Sequence, residues 1–275
     1  MSFGKRLDDA LTARGPLCVG IDPHPALLDS WGLPDDADGL GRFADTCVEA
    51  FADSAAVVKP QSAFFEVYGS AGIAVLERTV AALRSAGVIV LLDVKRGDIG
   101  TTMAAYARAY LDPASPLAAD AITVSPYLGV GALQPAFDLA EEHDAGVFVL
   151  ALTSNPEGPQ VQHAVGPDGR AVAQLVIDDL ATRNAAEAPL GAFGVVVGAT
   201  IGDVDVRLDG LGGPFLVPGI GAQGGTADDV QRIFGAALRS VVPSVSREVL
   251  RHGPSAAALR AAVESQAGQF AFLRA

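Results

Sequence analysis

Short runs of consecutive apolar, mostly β-branched residues punctuate the chain at 17–21, 56–58, 88–92, 121–124, 147–152, 193–197, 215–217 and 240–242. They are continuous rather than alternating with polar residues, which indicates strands buried on both faces, as in parallel sheets. Between the runs the apolar spacing changes to three and four. Phe43, Cys47 and Phe51 are four apart, as are Leu133 and Phe137. Ile73, Leu76, Val80 and Leu83 step by three, four and three, and Val172, Leu175 and Val176 repeat the pattern. This spacing predicts helices that each lay one apolar face on the sheet. Thr226-Ala227-Asp228-Asp229 reads as a helix start, with Thr226 as N-cap and acids in the first turn. Eight strands alternating with helices predict an α/β fold, a (β/α)8 TIM barrel. An open, doubly wound sheet is the alternative, because eight runs do not establish closure. Residues 153–170 read as a long, mobile connection containing Pro and Gly.

Composition refines this picture. No linker-like or low-complexity tract divides the 275 residues, so one domain spanning 1–275 is expected. Half the residues are apolar and the mean hydropathy is +0.34. The longest apolar runs are nevertheless strand-length, short of the ~20 residues that span a bilayer. The first fifteen residues mix acids with bases and lack the apolar core of a secretory signal. Cys18 and Cys47 form neither a disulfide framework nor a metal-type pair. A cytoplasmic protein is expected. Nineteen Lys and Arg against 32 Asp and Glu leave a net charge of −13, which disfavours nucleic acid and anionic membranes as partners.

Several site types are disfavoured. His24, His143, His163 and His252 show no zinc spacing, so no metal is expected. Asp35-Asp36-Ala37-Asp38 lacks the later Gly and Glu of a calcium loop and reads as a solvated turn. Neither a nucleophile elbow nor a P-loop occurs.

In a barrel, chemistry gathers at the carboxyl ends of the strands. The first strand ends at Asp22, the second at Lys59, and the third at Asp93-Val94-Lys95. Charges directly after buried strands are costly unless paired. Asp93 and Lys95, two apart on a strand, are expected on one face, with Lys59 and Asp22 beside them. Such an array keeps a lysine protonated in a dry site, able to stabilise a developing carbanion and then donate a proton. The alternative is a structural salt bridge at the barrel rim. After the seventh run comes Pro218-Gly219-Ile220-Gly221-Ala222-Gln223-Gly224-Gly225, and after the eighth Ser246-Arg247. Glycine-loop amides with an arginine suit a phosphate cradle, the usual use of these two loops.

Leu92-Asp93-Val94-Lys95-Arg96-Gly97-Asp98-Ile99-Gly100-Thr101-Thr102 resembles the D-x-K-x-x-D signature of the orotidine 5′-phosphate decarboxylases, in the form of their longer, bacterial type 2 subgroup. The resemblance extends through Gly20-Ile21-Asp22-Pro23, Val58-Lys59-Pro60-Gln61, Val124-Ser125-Pro126-Tyr127-Leu128-Gly129, Thr153-Ser154-Asn155-Pro156, the glycine loop and Ser246-Arg247. It implies cofactor-free decarboxylation of orotidine 5′-monophosphate to uridine 5′-monophosphate, with Lys95 as proton donor. Asp93 would sit against the substrate carboxylate, and Lys59 and Asp98 would complete a charged tetrad. Asp98 and Thr102 would come from the other subunit of a homodimer. Asp22 and Lys59 would hold ribose hydroxyls, Ser154 or Ser125 the pyrimidine, and Gln223 and Arg247, with Gly221 and Gly224, the phosphate. Ser246 stands where the family carries glycine.

Three rivals remain at this level. A magnesium-dependent enzyme acting on sugar phosphates would want an acid where Lys59 stands. A Schiff-base aldolase would use Lys95 as nucleophile. An inactive phosphate-binding barrel would need only the phosphate cradle, leaving Asp93, Lys95 and Asp98 unexplained.

Overall fold

A computed structural model describes residues 1–202 and 206–274. Eight parallel strands, β1 (Cys18–Ile21), β2 (Val57–Pro60), β3 (Ile89–Arg96), β4 (Ala121–Val124), β5 (Gly146–Leu152), β6 (Phe193–Val197), β7 (Phe215–Val217) and β8 (Val241–Val245), pair in sequence order. The sheet closes where Cys18 and Val19 of β1 pair with Ser244 and Val245 of β8. Closure excludes the open-sheet alternative.

The pleat sorts each strand into two cores. Outward residues such as Val58, Val90, Ile122 and Val195 join a large cluster with the surrounding helices. Inward residues, among them Val57, Leu91, Ala121, Phe148, Leu216 and Val242, fill the barrel interior. Helix α1 (Phe3–Arg14) closes the bottom of that interior with Phe3, Leu7 and Leu11, spaced at four. The Phe3 ring meets Phe148 edge-on at 6.2 Å. Gly146 is required there, since a Cβ would collide with the Phe3 ring. Arg6 pairs with Asp120 at 2.8 Å, and Asp120 also accepts from the Val90 amide, tying α1 to the sheet.

Helices α2 (Pro25–Ser30), α3 (Ala37–Phe51), α4 (Ala63–Glu66), α5 (Gly69–Ser85), α6 (Gly100–Leu111), α7 (Gln134–Glu142), α8 (Pro159–Gln162), α9 (Val172–Asn184), α10 (Ala227–Phe234), α11 (Arg247–Leu250) and α12 (Ala256–Gln269) fill the connections. Among the described residues, no helix is long and apolar enough to cross a membrane. The acidic turn has a structural use: Asp36 caps α3, accepting from the amides of Asp38 and Gly39. Thr226 caps α10 reciprocally with Asp229, as its sequence predicts.

Two expectations are corrected, for helix α9 and strand β8, and one connection gains structure. Helix α9 buries Ala173, Val176, Ile177 and Leu180, whereas Val172 and Leu175 stay partly exposed. The inward stripe is rotated relative to the simplest three-and-four reading. The segment 153–170 is organised by α8 and by an antiparallel bridge between Val165 and Ala171. Strand β8 continues through Pro243 and Ser244 to Val245, so the apolar run marks only its first half.

Candidate functional site

A cavity of about 450 Å³ opens at the carboxyl end of the barrel. Its floor carries the charges. Lys59 Nζ donates to Asp93 Oδ2 at 3.1 Å, and Lys95 Nζ donates to Asp93 Oδ1 at 2.6 Å. Asp22 Oδ1 lies 3.9 Å from the Lys59 ammonium. The side chains of Lys59 and Asp93 are each 7% exposed, while that of Lys95 is 46% exposed and reaches the open cavity.

The electrostatics follow from this packing. Burial alone would push the Asp93 carboxyl up; Lys59, Lys95 and hydrogen bonds from Lys95 and Thr123 overcome it and hold the group well below the carboxylate range. Burial likewise disfavours the Lys59 ammonium, yet Asp93 and Asp22 more than offset it and raise its pKa. Asp93 is therefore ionised and Lys59 charged at neutral pH. Cys18, beneath them, is pushed up to about 12 by burial and stays a neutral thiol.

Lys95 reaches Asp93 by a route that strand alternation does not predict. Between Leu92↔Ile122 and Arg96↔Val124, β3 advances four residues while β4 advances two. The surplus forms a bulge, within which Lys95 takes a left-handed backbone with φ +46°. A non-glycine residue in that region costs roughly 1–2 kcal/mol and needs local support. Thr123 on β4 supplies it. Its hydroxyl accepts from the amides of Val94 at 3.1 Å and Lys95 at 3.0 Å, and donates to Asp93 Oδ1 at 2.7 Å. The end of β3 is anchored further by Arg96, which pairs with Glu66 at 2.6 Å and donates to Tyr110.

The remaining cavity wall includes Ser154, Gly219, Ile220, Gln223, Ser246 and Arg247. Ser154 is packed on Gly198, in a loop held by paired hydrogen bonds between Thr153 and Gln162. Ser125 is not part of this wall: its amide donates to Arg96 and its carbonyl packs on Gly97. Gly20 admits no side chain, because a Cβ would lie 2.9 Å from Ser246 Cβ and 3.2 Å from Asp22 Oδ2. Asp22 Oδ1 and Ser246 Oγ are buried without a hydrogen-bond partner among the described residues. Among those residues no group of three or more histidine, cysteine or carboxylate side chains is placed to hold a metal ion.

The glycine loop departs from the simple cradle. Gly221 and Gly224 lie outside the cavity wall, and their amides donate to Gly225 and Gly221 within the loop. The amide of Gly225 likewise donates to Gly219. All of these glycines except Gly225 have positive φ, so they shape a tight turn that leaves Gln223 on the cavity side. Asp98 and Thr102 also lie outside the wall of their own chain; Asp98 accepts from the Ile99 amide ahead of α6.

The sequence assigns no site role to Thr123, nor to Gln61, His24 and Phe64, which also face the cavity. A signal for Thr123 was present: it is a polar residue in the inward phase of an otherwise apolar strand, two beyond Ala121.

A profile of the orotidine 5′-phosphate decarboxylase / HUMPS family matches residues 15–262. The chain belongs to that family. It is 64% identical over 263 residues to the orotidine 5′-phosphate decarboxylase of Salinispora arenicola, covering 96% of this chain and 95% of that one. The Corynebacterium glutamicum decarboxylase is 54% identical over 273 residues, covering 98% of both. A Streptomyces avermitilis crystal structure provisionally described as an orotidine 5′-phosphate decarboxylase superposes with a TM-score of 0.97 at 60% identity, covering 99% of this chain and 96% of that one. The Leishmania donovani OMP decarboxylase superposes at 0.77 with 31% identity, covering 100% and 99%. The family match and the barrel geometry agree with the resemblance carried by the D-x-K-x-x-D stretch.

Proposed function

We propose that Lys95, Asp93 and Lys59, with Asp98 from a second subunit, form the catalytic charge array of this decarboxylase. The reaction is conversion of orotidine 5′-monophosphate to uridine 5′-monophosphate and carbon dioxide, the closing step of de novo UMP synthesis. Loss of carbon dioxide leaves an electron pair in the plane of the pyrimidine ring, where the ring offers no delocalisation. A fixed ammonium aimed at that carbon stabilises charge that develops only in the transition state. The observation that carries the reading is Lys95, tethered at 2.6 Å to a buried, ionised Asp93 while its side chain remains open to the cavity. Lys95 then passes a proton to carbon six, forming the C–H bond as the ammonium becomes an amine. Asp93 holds that ammonium in place, and Lys59 balances the remaining oxygen of Asp93.

Asp22 Oδ1, buried and unpartnered, suits a donating ribose hydroxyl, with Lys59 alongside. Arg247 and Gln223 border the cavity and suit the phosphate; Ser154, which lines the cavity as Ser125 does not, suits the pyrimidine. Gly221 and Gly224 act by shaping the loop that carries Gln223. A cytoplasmic homodimer is part of the proposal. Ile99, next to Asp98 in the chain, and Tyr127 and Leu128 are 62%, 78% and 51% exposed, large apolar side chains that a second copy would cover.

The test follows the absorbance change of orotidine 5′-monophosphate with EDTA present. Wild type should turn over unaffected by the chelator, and Lys95→Ala should lose ~10³-fold or more in kcat. An inactive wild type, or a Lys95→Ala variant of undiminished rate, would overturn the assignment.

A further inference from the structure

The charged pair and the backbone beneath it converge on one hydroxyl. Thr123 is 1% exposed and inward-facing, with Oγ1 at 2.7 Å from Asp93 Oδ1 and at 3.1 and 3.0 Å from the Val94 and Lys95 nitrogens. A hydroxyl has one proton to donate and two lone pairs to accept with. All three are committed here, so the group has no capacity left for substrate. Its partners are also the ones that need it. The bulge between Leu92 and Arg96 takes the Val94 and Lys95 amides out of the ladder with β4, and the threonine oxygen replaces the carbonyls they would have met. One atom thus supports the left-handed turn on which Lys95 stands and orients the carboxylate that tethers its ammonium.

We propose that Thr123 is the positioning residue of the reaction: its hydroxyl sets where the Lys95 ammonium points by holding both the Lys95 backbone and the Asp93 carboxylate. The proposal rests on Lys95 being the proton donor. A donor displaced by about an ångström can lose ~100-fold in rate while the rest of the site still binds its ligand. Thr123 therefore acts on kcat, through Lys95, and leaves phosphate and ribose recognition to Arg247, Gln223 and Asp22.

Thr123→Val keeps the shape and removes the hydroxyl; Thr123→Ser keeps the hydroxyl and removes a methyl. Decarboxylation is measured well below each variant's melting temperature, alongside the Kd for uridine 5′-monophosphate. Thr123→Val should lose roughly 30- to 100-fold in kcat, with KM and the product Kd within about threefold of wild type, and Thr123→Ser should keep at least about a third of kcat. A purely structural role would lower the melting temperature of Thr123→Val without this kcat–KM split. Should Thr123→Val not fold, Thr123→Cys replaces it as a weak hydrogen bonder close in size to serine. A kcat at least about tenfold below that of Thr123→Ser supports the proposal, and equal rates overturn it. A Thr123→Val rate within about threefold of wild type, or a serine variant as slow as the valine one, also overturns it. Lys95→Ala in the same assay separates the two ideas. If it stays active, the donor assignment falls; if it is dead while Thr123→Val is fully active, only the role of Thr123 falls.

Discussion

Lys59 and Asp93 offer the sharpest energetic test. Lys59→Met keeps side-chain length and removes the charge, leaving Asp93 without one of the two ammonium groups that hold it ionised. Both side chains are 7% exposed and 3.1 Å apart. Removing one member of a buried pair costs ~3–5 kcal/mol, since the other charge stays in a poorly solvating interior. Asp93 retains Lys95 at 2.6 Å and Thr123 at 2.7 Å, so the loss belongs near the lower limit, about 3 kcal/mol. With an unfolding entropy of ~2.1 cal/mol/K per residue, a chain of this length should melt roughly 5 °C lower. Asp93→Asn should cost about 2 kcal/mol, because Lys59 keeps Asp22 at 3.9 Å. The double variant strands neither charge, so its loss should fall short of the sum of the singles by about 2 kcal/mol. The pH dependence has a definite sign. Asp93, with a depressed folded pKa, contributes stability above its unfolded value near ~3.9 and loses it as pH falls through the folded one. Lys59, with a raised folded pKa, contributes below ~10.4 and loses its share only above that. The wild-type advantage over Lys59→Met should be full at pH 7 and narrow below about pH 4. Thermal denaturation of the four proteins, followed by circular dichroism at pH 7 and 3.5, reads both effects. Additivity within about 0.5 kcal/mol, or a deficit that widens in acid, would refute the reasoning.

Phe3→Ala opens a void at the barrel floor, far from the cavity, and should cost ~3–5 kcal/mol with kcat at 25 °C unchanged; a large loss of kcat in folded protein would contradict the separation of floor from site. Cys18 and Cys47 are fully buried with pKa values raised by that burial, so neither should react with iodoacetamide at pH 8 until the protein is unfolded, as mass spectrometry would show. Arg247→Ala should raise KM by about 10- to 100-fold through loss of a charged contact to phosphate, and an unchanged KM would remove Arg247 from that role. Mixing Lys95→Ala with Asp98→Ala subunits should restore about a quarter of wild-type activity, since hybrid dimers carry one intact site; no recovery after subunit exchange would count against a shared site.

The strand runs were legible because a residue pair buried on both faces of a parallel sheet leaves a local mark: consecutive apolar side chains. Asp93, Lys95, Lys59 and Asp22 were legible for the opposite reason, as charges placed where buried strands end. The inward face of helix α9 is not legible locally, because the three-and-four rule tolerates a rotation that only the neighbouring strands settle. The end of β8 is not legible either, because Pro243 and Ser244 do not look like a strand, although both are buried in one. The sequence by itself thus determined the order of elements, the two-sided burial of the sheet and the chemical identity of the charged floor. Tertiary structure alone decided that β1 meets β8, that Phe3 plugs the interior and that the amides of Gly221, Gly224 and Gly225 turn inward. It alone decided, too, that Lys95 stands on a left-handed bulge held by Thr123. Each of these depends on hydrogen bonds or contacts between residues tens to hundreds of positions apart, or on a backbone turn that no side-chain periodicity records. Local pattern encodes which faces avoid water; the register between distant strands decides where a charged group finally points.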